Sequence, residues 1–100
     1  MQEIINKVKT YIGFSIKSNS IVFGSDNILK LKKKPDVVII CNSATEKVIN
    51  QIKKTGFKCV MLKNILLSEI LQRDNVKVIA IKNDNLAKAI LSYDLFETLN

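Results

Sequence analysis

Two groups of residues in this chain have types and spacings that suit chemistry. The first centres on Cys41, which ends the apolar run "DVVIIC" just before the helical pattern "NSATEKVINQI". A thiol so placed meets the free amides of a helix start, which favour the thiolate nucleophile. Tyrosine phosphatases add an Arg six residues later as a bidentate phosphate clamp. Here that position is Lys47, a point charge that does not replace the fork. A phosphate-cradling loop also needs glycines so that its amides converge, and "CNSATEK" has none. Phosphocarrier domains usually place their Cys after the first strand, whereas a helix, a strand and another helix pattern precede Cys41. Cys41 therefore reads as a small apolar residue closing a buried strand. A thiol enzyme using Cys41 is kept as a remote alternative, and no catalytic residue is assigned.

The second group is "SNSIVFGSDNILKLKKK", residues 18–34. Gly24, Ser25, Asp26 and Asn27 open a helical pattern. A helix start presents unpaired amides that attract phosphate, and Asp and Asn side chains can hydrogen-bond to base edges. Lys30 follows one turn on, Lys33 and Lys34 add charge, and Lys17 precedes the loop. Phosphate contacts would supply affinity and the Asp26–Asn27 pair selectivity. The plainer reading stays open: "GSDN" as an ordinary cap and the lysines as a solvated face. A third stretch, Ile65, Leu66 and Leu67, carries more apolar residues than one narrow helical stripe needs. Either all are core, or some stand exposed, where they can pack on an unstacked base.

These residues need a frame. Ile4, Ile5, Val8, Ile12 and Ile16 recur at helical spacing. "IVF" is a short β-branched run. "GSDN" opens a helix through Ile28, Leu29 and Leu31 that dissolves in "KKKPD", where Pro35 stops it. "DVVIIC" is a continuously apolar strand of the kind covered on both faces. The helix after it has Ser43 or Thr45 as cap and Gly56 as stop. "FKCVML" is a strand, residues 64–72 a short helix with Asn64 as its candidate cap, and "VKVIAI" a fourth strand. Asp84 is expected to cap a last helix through Leu91, with residues 92–100 extending it or fraying. The alternation predicts one α/β domain: a three-layer α/β/α sandwich with a four-stranded mixed sheet and about five helices.

The bulk numbers narrow the function classes. The chain has 100 residues, one domain's length. Sixteen Lys and Arg against nine Asp and Glu give a formal charge of +7, a field that favours polyanions. With no His and two Cys, ordinary zinc sites and a His general base are excluded, and no metal or cofactor is implied. No apolar run approaches the ~20 residues of a membrane span. The opening "MQEIINKVKTYIGF" is too charged for a signal peptide. A reducing, cytoplasmic setting is expected.

Beyond this, the chain resembles a known family. "YIGFSIKSNSIVFGSDNILK", "DVVIICNSATEKVINQI" and "LLSEILQRDNVKVIAIKNDNLAKAI" are similar, in order and spacing, to the blocks of the kink-turn RNA-binding ribosomal proteins of the L-seven-Ae/L-thirty-e group, especially short bacterial members. The resemblance covers about residues 11 to 91. It implies an α/β/α sandwich that binds helix–bulge–helix RNA through a G-x-N-E-x-x-K motif. Gly24 and Lys30 match the motif's ends. Asp26 stands where the family often has Asn, and Asn27 where it often has Glu. Lys17 falls where short members often carry Arg, and Ser20 where they usually carry Lys. The loop that cups a flipped-out nucleotide corresponds to the segment through Ile65, Leu66 and Leu67. Ser68 and Gln72 replace that segment's glycines.

The expected function is ribosome-associated recognition of structured RNA, an rRNA or mRNA kink-turn, by a monomer. The alternative is a scaffold or protein-interaction module that kept the fold without RNA binding.

Overall fold

The computed structural model describes residues 2–99. The first element is the helix α1, Gln2–Lys17, whose spacing of apolar residues buries Val8 and Ile12 and half-buries Ile4, Ile5 and Tyr11. Strands and helices then alternate: β1 (Ile21–Phe23), α2 (Ser25–Leu29), β2 (Val37–Ile40), α3 (Glu46–Lys54), β3 (Cys59–Leu62), α4 (Leu67–Leu71), β4 (Val78–Ile81), α5 (Asp84–Leu91) and β5 (Phe96–Thr98). Among the described residues no helix is long and apolar enough to cross a membrane.

The sheet is mixed, in the order β1-β4-β2-β3-β5. Strands β2 and β3 are parallel, while β4 runs antiparallel to both β1 and β2. Every residue of β2 and β4 is buried, which is why both read as unbroken apolar runs. Alternation along each strand then sorts side chains into two cores. Val37 and Ile39 face a layer built from α1, α4 and α5, with Val8, Ile12, Leu67, Ile70 and Ile90. Val38 and Ile40 face α2 and α3, meeting Ile28 and Ile52. The expected three layers are present.

The strand number is corrected from four to five. Residues 96–98 neither extend α5 nor fray: β5 pairs antiparallel with β3, Leu62 opposite Phe96 and Val60 opposite Thr98. Leu95 is buried, and Lys63 grips Asp94 at 2.9 Å. A short apolar pair such as Leu95–Phe96 fits either period, so only the unfilled edge of β3 selects the strand.

Some helix ends also differ from expectation. Asn83, not Asp84, caps α5, its Oδ1 accepting from the Leu86 N–H at 3.0 Å. Helix α4 starts at Leu67, and its first turn is closed by the Glu69 carboxylate accepting from the Leu66 N–H at 2.9 Å. Asn64 instead turns the chain with φ 62°. Helix α2 ends at Leu29 rather than reaching Leu31. At α3 the expected signals hold: Thr45 Oγ1 accepts from the Val48 N–H, and Gly56 takes φ 78° just past the end. Thr45→Ala is expected to lower stability by about 1 kcal/mol, read as a shifted urea midpoint with an unchanged slope.

Candidate nucleic-acid interface

Strands β1, β2 and β3 run the same way, each leading into a helix. The end of the sheet at which they finish, and at which β4 starts, is the upper end. Three loops share it: the β1–α2 turn, the β2–α3 loop and the β3–α4 loop. The α4–β4 loop returns to the same place.

The β1–α2 turn rests on Gly24, with φ 85° and ψ 144°, a combination L side chains rarely adopt. Its N–H donates to the Val78 carbonyl at 2.9 Å, tying the turn to β4. No side chain caps α2. Instead the Asn27 Nδ2 donates to the Phe23 carbonyl at 3.0 Å. That bond holds the amide in one orientation and leaves its Oδ1 and second N–H for an external partner. Asp26 and Asn27 are both exposed. With Gly24, Ser25, Asn75 and Lys77 they line a cleft of about 280 Å³.

The neighbouring loops are tied to each other and to this cleft. Asn42 donates to the Leu62 and Ile65 carbonyls at 3.3 and 3.2 Å. Lys77 Nζ donates to the Ser43 hydroxyl at 2.8 Å, so a cation stands between the α2 start and the β2–α3 loop. Arg73 lies 4.4 Å over the Phe23 ring, a cation–π contact that fixes its guanidinium beside the β1 edge. Sequence motifs do not reveal Arg73, Asn75 and Lys77. The polar stretch "QRDNVK" between two apolar elements is the signal that could have found them.

Of the three apolar candidates, Leu66 is 40% exposed, Ile65 is partly buried against the core, and Leu67 is fully buried. Leu67 is therefore corrected to a core residue, because the first helical turn of α4 rotates it inward. Ser68 lies inside α4, where helical backbone requires no glycine. Gln72 takes the left-handed conformation at the helix end, φ 55°, the place where glycine is usually favoured.

The expected lysines do not form one cluster. The turn from Lys17 leads upward through β1, so Lys17 sits at the lower end, as do Lys33 and Lys34, which precede β2. Backbone bonds fix the lower ends of these strands: the Lys82 N–H donates to the Ser20 carbonyl at 2.7 Å, and the Asp36 N–H to the Ile81 carbonyl at 2.9 Å. A strand of four residues spans about 13 Å, which separates these lysines from Gly24, Ser25, Asp26 and Asn27. Lys30 caps the far end of α2 and is exposed between the two groups.

Cys41 is 1% exposed. Burial pushes its thiol pKa up, but the Ser43 hydroxyl at 3.1 Å, the Leu67 N–H at 3.4 Å and the Lys77 charge outweigh this and hold it below its ordinary value. These bonds join the β2–α3 and β3–α4 loops through one sulfur. Among the described residues no group of His, Cys, Asp and Glu could hold a metal ion. Comparison with protein-family models and with curated proteins finds no match to this chain.

Proposed function

We propose that this protein is a non-enzymatic, cytoplasmic RNA-binding domain that recognises sharply bent, helix–bulge–helix RNA of the kink-turn type, as a ribosome-associated protein. One observation carries the reading. The start of α2, the Lys77 cation and the exposed Leu66 share the upper end of the sheet: Asn42, Ser43 and Cys41 tie the loops that carry Lys77 and Leu66 to the β2–α3 loop, and the Gly24 N–H ties the α2 start to Val78 of β4. In the sheet order, β1 and β3 are three strand spacings apart, about 14 Å, and α2 and α4 pack on opposite faces of the sheet, so one bulged RNA meets both by lying across the upper end. The overall charge of +7 and the family resemblance add to it.

Each part of the interface has its own task. Lys77, Arg73 and Lys30 neutralise backbone phosphates. Asp26 and the free edge of Asn27 meet base edges. Leu66, flanked by Ile65, packs on an unstacked base. The test is fluorescence anisotropy with a kink-turn RNA and a plain duplex of equal length at physiological salt. Asn27→Ala is expected to reduce the preference for the kinked RNA by about 1–3 kcal/mol, the scale of one base-edge contact. Equal losses for both RNAs would argue against base-edge recognition. No preference in the unmodified protein would remove the proposal.

A protein-interaction role is the second reading. It is favoured by Phe14, half exposed and set edge-on against Tyr11 at 6.3 Å between ring centroids, with Tyr93 beside Tyr11.

A further inference from the structure

The net positive charge does not sit where the α2 start does. At the upper end Lys77, Arg73 and Lys47 are accompanied by Asp26, Glu46, Glu69 and Asp74, and Lys63 is paired with Asp94. The lower end is different. Lys17 leads into β1, Lys34 precedes β2, Lys58 precedes β3 and Lys82 follows β4. The last turn of α3 brings Lys53 and Lys54 down to the same end. All six are exposed. The acids there are Asp36 and Asp84, and Asp84 is held by Lys88 at 3.0 Å. Among the described residues the ion pairs are Lys63–Asp94 and Lys88–Asp84, so none of these six lysines is neutralised by a salt bridge.

We infer that this lower end is a second nucleic-acid surface, which takes the phosphate backbone of double-helical RNA without reading its sequence. Adjacent strands lie about 4.8 Å apart; Lys58 and Lys82 adjoin the lower ends of β3 and β4 directly, while Lys34 comes before Pro35 and Asp36 on the way into β2 and Lys17 closes α1 ahead of β1, so the lysines are spread along the lower edge of four strands. A nucleic-acid strand presents a charge about every 3.4 Å along its axis, so a row of such cations can meet several phosphates of one strand. Lysines supply charge without the planar fork that specific recognition uses. An anionic membrane is the competing partner. Surface-lying helices need a free apolar face; α1 buries Val8 and Ile12 of its stripe in the core and leaves Phe14 and Ile16 exposed in its last turns, so lipid vesicles form one arm of the test. The surface goes beyond bent-RNA recognition and stands without it, because it rests on charge alone.

The test compares two variants of equal net charge. One is the lower-end variant Lys34→Gln/Lys58→Gln/Lys82→Gln. The other is the control Lys7→Gln/Lys9→Gln/Lys47→Gln, which removes lysines elsewhere. Binding to a plain RNA duplex is followed by anisotropy across a salt series, with melting curves to check folding. The unmodified protein should give a negative slope of log affinity on log salt. Every phosphate that a variant no longer neutralises should shrink that slope by about 0.7 to 0.9. For the lower-end variant the expected result is a slope smaller by about 1.5 to 2.5, the equivalent of roughly two to three phosphates. The control should change less. Equal slopes in the two variants would overturn the inference in favour of diffuse charge. Loss of binding to phosphatidylserine vesicles, with duplex binding unchanged, would overturn it in favour of a lipid surface. Failure of bent-RNA recognition reads differently: the preference for the kinked RNA would be missing while the duplex slope still responded to the lower-end lysines.

Discussion

Leu67→Ala is expected to destabilise the fold by about 2–5 kcal/mol, whereas Leu66→Ala is expected to change stability by no more than about 0.5 kcal/mol. The two leucines are adjacent, of one residue type, and end up in different environments. Leu67 is fully buried in the cluster that includes Val8, Ile12, Ile39 and Ile70. Removing its isobutyl group deletes transfer free energy and leaves a cavity between α4, α1 and the sheet. For a domain whose whole stability is about 5–15 kcal/mol, that is a large fraction. Leu66 is 40% exposed and has less burial to lose. Its role in the proposed function is a ridge for an unstacked base, so its alanine variant should weaken binding to bent RNA and leave plain duplex binding unchanged. Urea unfolding and anisotropy on the same two proteins check both halves. Equal destabilisation by the two substitutions would mean that Leu66 is packed rather than displayed. Unchanged affinity of Leu66→Ala for bent RNA would take the extruded base off this residue.

The second large effect is expected at Gly24. A Cβ built there meets nothing within 4 Å, so alanine is not excluded by crowding. The cost is in the backbone: φ 85° with ψ 144° is open to glycine and strained for other residues. Gly24→Ala should therefore lower stability by about 1–3 kcal/mol. The chain can relieve the strain by rotating the turn, but that withdraws the Gly24 N–H from the Val78 carbonyl and re-aims the first turn of α2. Preference for bent RNA should then fall even under conditions where the variant is fully folded. Hydrogen exchange at residue 24 and the same anisotropy assay provide the checks. An alanine variant with native stability and a protected amide at position 24 would show that the turn tolerates an L side chain and has no need of glycine.

Local sequence determined much of this molecule. Apolar spacing fixed α1 and the inward faces of α3 and α5, since periodicity reports which side of an element meets the core. The unbroken runs at 37–40 and 78–81 declared strands covered on both faces, and they occupy the central positions of the sheet. Thr45 and Gly56 marked the ends of α3 because capping is a contact between near neighbours in the chain. Gly24 to Asn27 were legible as a helix opening for the same reason.

Tertiary structure decided the rest. Residues 96–98 became a strand because β3 had a free edge, which lies thirty-odd positions away in sequence. Leu67 went inside and Leu66 outside because α4 begins one residue later than Leu66, and its rotation against α1 is set by packing. Lys17 and Gly24 are close in the chain, yet β1 runs between them and carries them to opposite ends of the sheet. Arg73, Asn75 and Lys77, remote from Asp26 in sequence, came to the α2 start because β4 pairs with β1 and begins where β1 ends. Periodicity assigns a residue to a face; only strand order and direction assign it to an end. Strand pairing is a contact between distant segments, and no local pattern encodes it.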